Sequence, residues 1–394
     1  MDPKPQEKEV LLKKELSLET FLFPVVFTAF FALFVTRMGL ANTLNTMMKT
    51  AYQLLLDTVL YITAVCVIMG ALSALLSEFG FVSLANRLLQ PLMRPVYGLP
   101  GAAALGVVTT FLSDNPAILA LADDRHFRRY FKAYQFPALT NLGSAFGMGL
   151  IVCTYMYSLS PAMGTPLGVP VLIGLAGAVV GSVVSTRLML VFTRRAFGDE
   201  PLGAHEGGAS PLPPGMRPIR EGGFGSRMIA AVLDGGHTGV KMGLSIIPGV
   251  LVICTLVMML INGPAEGGIY TGKAYEGIML LPRLADKIDF ILKPLFGFSS
   301  PEAIGVPVTA LGAAGAAISM TANLISRGLV SPGDIAVFTA LCMCWSGYLS
   351  THASMMDSLN CKHLIGKAIL CHTIGGLCAG VAAHWLCVFL SIAG

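Results

Sequence analysis

A short polar sequence that ends in proline interrupts an apolar stretch of this chain. Ser113, Asp114, Asn115 and Pro116 lie within residues 101–121, whose other members are mostly apolar. Proline removes a backbone donor and disfavours helix at the preceding residue, so a helix should break here. Inside a membrane, such a break leaves backbone groups that protein, water or a ligand must satisfy. An Asp carboxylate at a helix centre costs about 2.5–3.5 kcal/mol there, which favours a binding role for Ser113, Asp114 and Asn115.

The same polar residues also have a purely structural interpretation. One of them could cap a helix that begins at Pro116, because Ser, Asp and Asn are good N-caps and proline suits the first helical position. A cap and a binding site are compatible, since the N-terminus of a half-helix carries partial positive charge and unpaired N–H groups.

Residues 312–323 form a second stretch rich in glycine and alanine, and this one lacks a carboxylate. Ser319, Thr321 and Asn323 supply hydrogen-bonding groups, and the small residues around them would let a substrate or another backbone approach closely. Tight packing between helices explains the small residues equally well. We include Ser319, Thr321 and Asn323 among the predicted site residues.

Two further polar segments follow these stretches along the chain. Thr140, Asn141 and Ser144 lie in the first, and Ser350 and His352 lie in the second. Polar and glycine residues within a crossing helix suit unwound backbone that coordinates a substrate or a coupling ion. We therefore predict site roles for Thr140, Asn141, Ser144 and Ser350, whereas His352 could lie at the cytoplasmic boundary.

The sequence offers no pattern that indicates catalysis. It contains no phosphate-binding glycine loop, no nucleophile elbow and no pair of acid and base carboxylates. The last helices are rich in Cys and His, which are ligands for transition metals, but no pair has the spacing of a zinc site. We therefore predict no catalytic residue, no metal site and no cofactor, and the pattern is not that of an enzyme.

The composition indicates a lipid environment for the elements that carry these residues. Hydrophobic residues make up 54% of the 394 and charged residues only 12%, whereas soluble domains carry roughly a quarter charged residues. Uninterrupted apolar stretches of about 20 residues are long enough to cross a bilayer as helices. The net charge of +4 comes from Lys and Arg between these stretches, and no basic patch suggests nucleic acid as a partner. The expected fold class is an all-α polytopic membrane protein with about seven full spans and two re-entrant hairpins.

The chain divides at a linker over residues 198–226, where 13 of 29 positions are Gly or Pro. We predict an N-terminal polar segment with a first span in residues 1–50, one repeat in residues 51–197 and a second in residues 227–394. Pro91-Leu92 and Pro294-Leu295 lie 203 residues apart, and each precedes a small-residue stretch, as an internal duplication would produce.

The positive charges predict how the two halves insert. Lys4, Lys8, Lys13 and Lys14 place the N-terminus in the cytoplasm, on the inner side of a cell membrane. Alternating the spans from there, with the first at residues 21–35 and the second at residues 52–77, makes the two repeats insert in opposite senses. Each would contain one hairpin, which is the inverted repeat found in many secondary transporters.

Four segments of the first half resemble the nucleoside-recognition, or Gate, domain of membrane proteins. They are Pro91-Leu92, Gly98-Leu99-Pro100-Gly101, Ser113-Asp114-Asn115-Pro116 and Phe136-Pro137-Ala138-Leu139-Thr140-Asn141-Leu142-Gly143. That superfamily takes in concentrative nucleoside transporters, the membrane part of ferrous-iron transport protein B, and spore-maturation membrane proteins. The resemblance implies paired hairpins that face each other near the membrane midplane, and a homo-oligomer.

Together these observations predict a secondary transporter that moves a small polar solute by alternating access. Asp114 could bind a coupling proton, a coupling sodium ion or a cationic group of the substrate. Two alternatives stay open at this point. The protein could be a non-transporting scaffold or gating subunit that acts with a partner, or a permease for a transition metal that uses the C-terminal Cys and His residues.

Overall fold

The computed structural model describes residues 14–113, 115, 117–118, 125–128, 130–199, 219–265, 267–312, 314–346 and 348–391. Every extended regular element within these ranges is helical, which confirms the all-α class. The polar N-terminus before residue 14, most of the linker, and Asp114 and Pro116 lie outside the described residues.

The helices of the first half follow a long-helix, broken-helix, long-helix order. They are α1 (Leu18–Met38), α2 (Leu40–Gln53), α3 (Leu60–Glu78), α4 (Phe81–Leu92), α5 (Ala103–Leu112), α6 (Arg125–Arg128), α7 (Leu139–Ser144), α8 (Gly149–Ser158), α9 (Ser160–Met163) and α10 (Gly168–Phe197). A π-helical stretch, Leu54–Val59, joins α2 to α3, so that Leu40–Glu78 runs as one continuous helix.

The second half repeats this order. Its helices are α11 (Phe224–Ser245), α12 (Thr255–Ile261), α13 (Leu280–Lys287), α14 (Asp289–Phe296), α15 (Gly305–Ala310), α16 (Ala314–Ser326), α17 (Pro332–Cys344), α18 (Tyr348–Ser358) and α19 (Ile365–Phe389). A π-helical stretch, Gly249–Cys254, again interrupts the first long helix, and it contacts the π-helical stretch of the first half. The matching order is compatible with an internal duplication, although the opposite insertion of the two halves stays a prediction.

Among the described residues, six helical segments are long and apolar enough to cross a membrane. They are Leu18–Met38, Leu40–Glu78, Leu139–Met163, Gly168–Phe197, Phe224–Ile261 and Lys362–Phe389. The expectation of a polytopic membrane protein is therefore confirmed. α5, α16 and α17 are apolar but shorter, and α15 packs against α16 across a break, as the expected hairpin would.

The scaffold beside the predicted site consists of α10, α17 and α19, which pack closely because glycine faces backbone. A Cβ at Gly174 would lie 2.6 Å from the carbonyl oxygen of Ala336, and one at Gly177 would lie 2.6 Å from that of Ala379. Small residues allow this approach where lipid supplies no hydrophobic drive for association.

The first long helices of the two halves cross in the same way. α3 packs along α11, and side chains at Gly70, Gly235 or Gly239 would collide with the backbone of the facing helix. We call these three residues the glycine seam.

An ion cluster closes the end of this crossing. The carboxylate of Glu78, which is buried at the end of α3, accepts hydrogen bonds from Arg220 at 2.8 Å and from Arg227 at 2.7 Å. Arg220 lies in the last part of the linker, and Arg227 lies in the first turn of α11. The cluster therefore ties the start of the second half to the first.

Candidate functional site

Asn115 lies where three interruptions of the helical backbone meet. It follows the break at the end of α5, and its side chain is buried. Its side-chain amide donates a hydrogen bond to the carbonyl of Ser346, which lies in the break between α17 and α18. Gly147, in the break between α7 and α8, has no room for a Cβ because the Asn115 side chain occupies that space. Of the predicted polar sequence, Ser113 is half-buried beside it.

The break between α7 and α8 has a local cause in the backbone. Met148 adopts a left-handed conformation with φ 55°, which is unusual for a residue with a side chain and ends the helical hydrogen-bonding pattern before α8 begins. Gly149 follows directly, and its lack of a side chain leaves room for the ring of Phe111 from α5, which a Cβ there would meet. The side chain of Ile118 fills the corresponding space at Gly143.

The three predicted residues of α7 are wholly buried. Asn141 Nδ2 donates to Ser185 Oγ at 2.9 Å and to the carbonyl oxygen of Ala368 at 3.0 Å, so that α7 is bonded to both α10 and α19. Ser144 Oγ lies 3.4 Å from His352 Nδ1 of α18. Thr140 completes the buried face of this short helix.

A pair of buried histidines continues this network, and the sequence analysis did not predict it as a site. The ring centroids of His352 and His372 lie 4.5 Å apart, and both residues are at most 1% exposed. His372 Nδ1 lies 2.9 Å from Ser185 Oγ, and His372 Nε2 is bonded to the carbonyl oxygen of Cys344. Sequence reasoning could have identified His372 as a candidate site residue, because an imidazole inside an otherwise apolar membrane-spanning helix is rare.

Several buried polar atoms of the predicted residues are unsatisfied. Within the described ranges, Thr140 Oγ1, Asn141 Oδ1 and Thr321 Oγ1 have no hydrogen-bond partner. Buried polar atoms are nearly always bonded to protein or to ordered water. Atoms of this kind are therefore suited to bind a polar ligand or water.

The predicted residues of the second half form a separate group on α16. Ser319 and Thr321 are buried, and Asn323 is half-buried. Ser319 Oγ donates to the Ala316 carbonyl at 2.6 Å and lies 3.6 Å from Cys254 Sγ in the second π-helical stretch. Among the described residues, no hydrogen bond joins this group to Asn115 or to α7. Asp114 and the side chain of Ser350 lie outside the described part of the chain.

An apolar cavity of about 410 Å³ lies beside the first group, between α4, α5 and α10. Its lining includes Phe111 of α5, Phe146 from the break between α7 and α8, Tyr97, and Leu175 of α10. In the described segments, no three His, Cys, Asp or Glu side chains converge as a metal site would require, and all nine cysteines are free thiols.

Six apolar spans and paired broken helices around buried polar residues define a polytopic helical membrane fold. Residues 59–196 match the model of the Gate family, which is described as nucleoside recognition. The match confirms the resemblance inferred from the sequence over this segment. The match lies within the predicted first repeat.

Solved structures of CNTnw, a concentrative nucleoside transporter, have the same fold. CNTnw in an inward-facing substrate-bound state superposes with a TM-score of 0.50 and 17% identity, over 83% of this chain and 75% of that chain. A double variant of CNTnw in an outward-facing state gives a TM-score of 0.52 and 16% identity, over 85% and 76% of the two chains. No curated protein matches the sequence significantly.

Proposed function

We propose that this protein is a secondary transporter that moves a small polar solute of the nucleoside class across a cell membrane by alternating access. We call the meeting point of Asn115, Gly147 and the Ser346 carbonyl the Asn115 junction. The solute and the coupling ion would bind between this junction and the buried face of α7. The Gate domain, described as nucleoside recognition, supports the solute class.

One observation carries the proposal. Asn115 joins a break after α5, a break between α7 and α8, and a break between α17 and α18. Non-helical backbone at membrane depth is tolerated where it is buried in protein or lines a cavity. Transporters use such discontinuous helices to present unpaired N–H and C=O groups to substrates and ions. The unsatisfied oxygens of Thr140 and Asn141 add side-chain acceptors beside that backbone.

The predicted roles of Ser113, Asp114, Asn115, Thr140, Asn141, Ser144, Ser319, Thr321, Asn323 and Ser350 belong to this proposal. So do a cytoplasmic N-terminus and a homo-oligomeric assembly. Movement of one half against the other would bring the second group, on α16, toward the first and away from it.

Uptake into proteoliposomes tests the proposal, with radiolabelled uridine and adenosine as probes. Asp114→Asn should abolish coupled uptake because it removes the carboxylate of the predicted site, while the purified variant keeps its size-exclusion profile. Asp199→Asn is the matched control, because Asp199 is exposed and pairs with Arg194 next to the linker.

Each outcome of this experiment bears on the proposal. Unchanged coupled uptake by Asp114→Asn would remove Asp114 from the site. A wild-type protein that neither binds nor moves any probe solute, and that co-purifies with a fixed partner, would instead favour the scaffold or gating subunit.

A further inference from the structure

The histidine pair occupies a position that polar side chains seldom take without a function. His352 lies on α18 and His372 on α19, and the centroids of their rings are 4.5 Å apart. α19 is one of the candidate membrane spans. Ionisable side chains within spans are rare, because charge is costly in hydrocarbon, and they commonly mark proton or substrate pathways.

The hydrogen bonds around His372 define its neutral form. Because a carbonyl oxygen only accepts, Nε2 must donate to the Cys344 carbonyl. Nδ1 of the neutral ring is then an acceptor, and the Ser185 hydroxyl donates to it across 2.9 Å. Ser185 Oγ in turn accepts from Asn141 Nδ2. The three side chains form a directed chain from Asn141 to His372.

A proton added to Nδ1 of His372 reverses one bond of this chain. The ring then donates at Nδ1, so that Ser185 Oγ accepts from it and the Ser185 hydroxyl needs a new acceptor. Rotation of the Asn141 amide supplies one, because Asn141 Oδ1, which is unsatisfied before, replaces Nδ2 beside Ser185, and Nδ2 leaves the Ala368 carbonyl. Proton binding at the pair therefore changes the orientation of a side chain on α7, the helix that leads into the Asn115 junction.

Two charged groups described on α10 and α19 have partners other than the histidine pair. Arg187 of α10 donates to the carbonyls of Pro95 and Val96. Lys367 of α19 lies over the ring of Phe192 and is exposed.

The same holds for α17 and α18, while α7 carries no titratable residue. Asp334, at the N-terminus of α17, accepts hydrogen bonds from Ser299 and Ser331. Asp357, on α18, is exposed and pairs with Lys362. Among the described side chains, the thiols of Cys344 on α17 and Cys371 on α19 are both buried.

We propose that His352 and His372 together bind one proton, and that this proton is the coupling ion of transport. The proposal rests on the proposed transport function. Imidazole is the side chain whose unperturbed pKa lies nearest neutrality, which makes it a common proton carrier in proteins. The pair takes one proton and not two, because two like charges at this separation disfavour each other. Ser144, which contacts His352, and Ser185, which contacts His372, connect both rings to the predicted site.

A count of bound protons tests the pair independently of transport. Purified protein in weakly buffered detergent is acidified from about pH 7.5 to about pH 3.5, a window that includes the unperturbed imidazole pKa and extends well below it, and proton uptake is measured. The wild type should take up about one proton per chain more than a His352→Gln/His372→Gln double variant. The control His363→Gln removes an exposed histidine that lies just before α19. Equal uptake by the wild type and the double variant, after correction by that control, would overturn the proposal.

His372→Gln alone guards against a folding defect in the double variant. Its side-chain amide can still donate to the Cys344 carbonyl, so the buried acceptor keeps a partner. This variant should fold and should lose the same proton. If it folds and retains wild-type proton uptake, His372 does not belong to the proton site.

Uptake assays then test the identity of the coupling ion separately from the proposed transport function. With one proton per solute, an inward gradient of about one pH unit should drive about tenfold accumulation of uridine in proteoliposomes, and His372→Gln should abolish accumulation without abolishing exchange. Uridine accumulation that follows a sodium gradient and ignores pH would overturn the proton assignment but support the proposed function. Proton binding by the pair with no binding or movement of any nucleoside would overturn the coupling role and the proposed function together.

Discussion

The side-chain amide of Asn115 donates a hydrogen bond to the backbone carbonyl of Ser346, a residue 231 positions later in the sequence. This bond joins the polar break of the first half to the break between α17 and α18 in the second half. Any motion that separates these two breaks must exchange the bond for one to water or to a ligand.

Asn115→Ala should weaken both stability and transport. It leaves the buried Ser346 carbonyl without this donor, which costs about 1–3 kcal/mol, and it opens space beside Gly147. We expect a lower thermal unfolding midpoint in detergent and at least about a tenfold loss of uridine uptake. Asn45→Ala, on an exposed position of α2, is the control and should change neither. Wild-type uptake by Asn115→Ala would contradict a role for the junction.

Gly147→Ala should disturb the same junction from the opposite side. The added methyl group would occupy the space of the Asn115 side chain, which then has to leave its hydrogen bond. Overpacking of this kind costs about 1–3 kcal/mol. Gly366→Ala on α19, where a Cβ meets no atom within 4 Å, should be neutral or slightly stabilising. Equal unfolding midpoints for the two variants would show that the break at residues 145–148 has room to adapt.

The glycine seam offers a test that uses two adjacent residues. A Cβ at Gly235 would collide with the carbonyl of Gly70, whereas one at Gly236 would make an ordinary contact of 3.7 Å with Val67. Gly235→Ala should therefore lower the thermal midpoint by forcing α3 and α11 apart, at a cost of about 1–3 kcal/mol. Gly236→Ala should leave it unchanged or raise it. The opposite order of the two variants would mean that the helices do not cross at this seam.

Glu276 should make stability depend on pH in the acid range. Burial of its carboxyl group disfavours ionisation, but hydrogen bonds from Thr271 and from the backbone N–H of Gly272 outweigh this effect and lower the pKa of Glu276. A lowered pKa stabilises the fold fully above the unfolded-state value of about 4.3, and the stabilisation is lost as the pH falls through the folded-state value.

The variant Glu276→Gln measures this effect. The thermal midpoint of the wild type should fall steeply below about pH 4, and that of Glu276→Gln should be lower at neutral pH and flatter in acid. Parallel curves for the two proteins would show that the Glu276 carboxylate contributes nothing in this range. The exposed Glu221 provides the control substitution Glu221→Gln.

Hydropathy predicted the spans of this protein because membrane helices need long apolar stretches, yet it missed α2. The first and second spans were expected at residues 21–35 and 52–77, with a loop between them. Instead α2 begins at Leu40, directly after Gly39, and continues into the second span. Its buried face consists of Thr43, Thr46 and Thr50, and its exposed face carries Leu44 and Met48. Threonines diluted the apolar signal.

The polar positions of the site could be predicted from the sequence, but their partners could not. Pro116 and the glycines indicated where helices would break, because these residues act on their own backbone. The bond from Asn115 to Ser346 and the contact between His352 and His372 depend on how distant segments pack. A single sequence carries no direct record of such contacts. The histidines were weighed as metal ligands or boundary residues because their mutual distance was invisible.

The crossing of α3 and α11 limits how the molecule can move. Backbone meets backbone at Gly70, Gly235 and Gly239, and the Glu78 carboxylate binds Arg220 from the end of the linker and Arg227 from the first turn of α11. Sliding along this contact would drive one main chain into the other. The two helices should therefore move together as one rigid body. Any solute pathway would then open through the shorter, interrupted helices on either side of this pair.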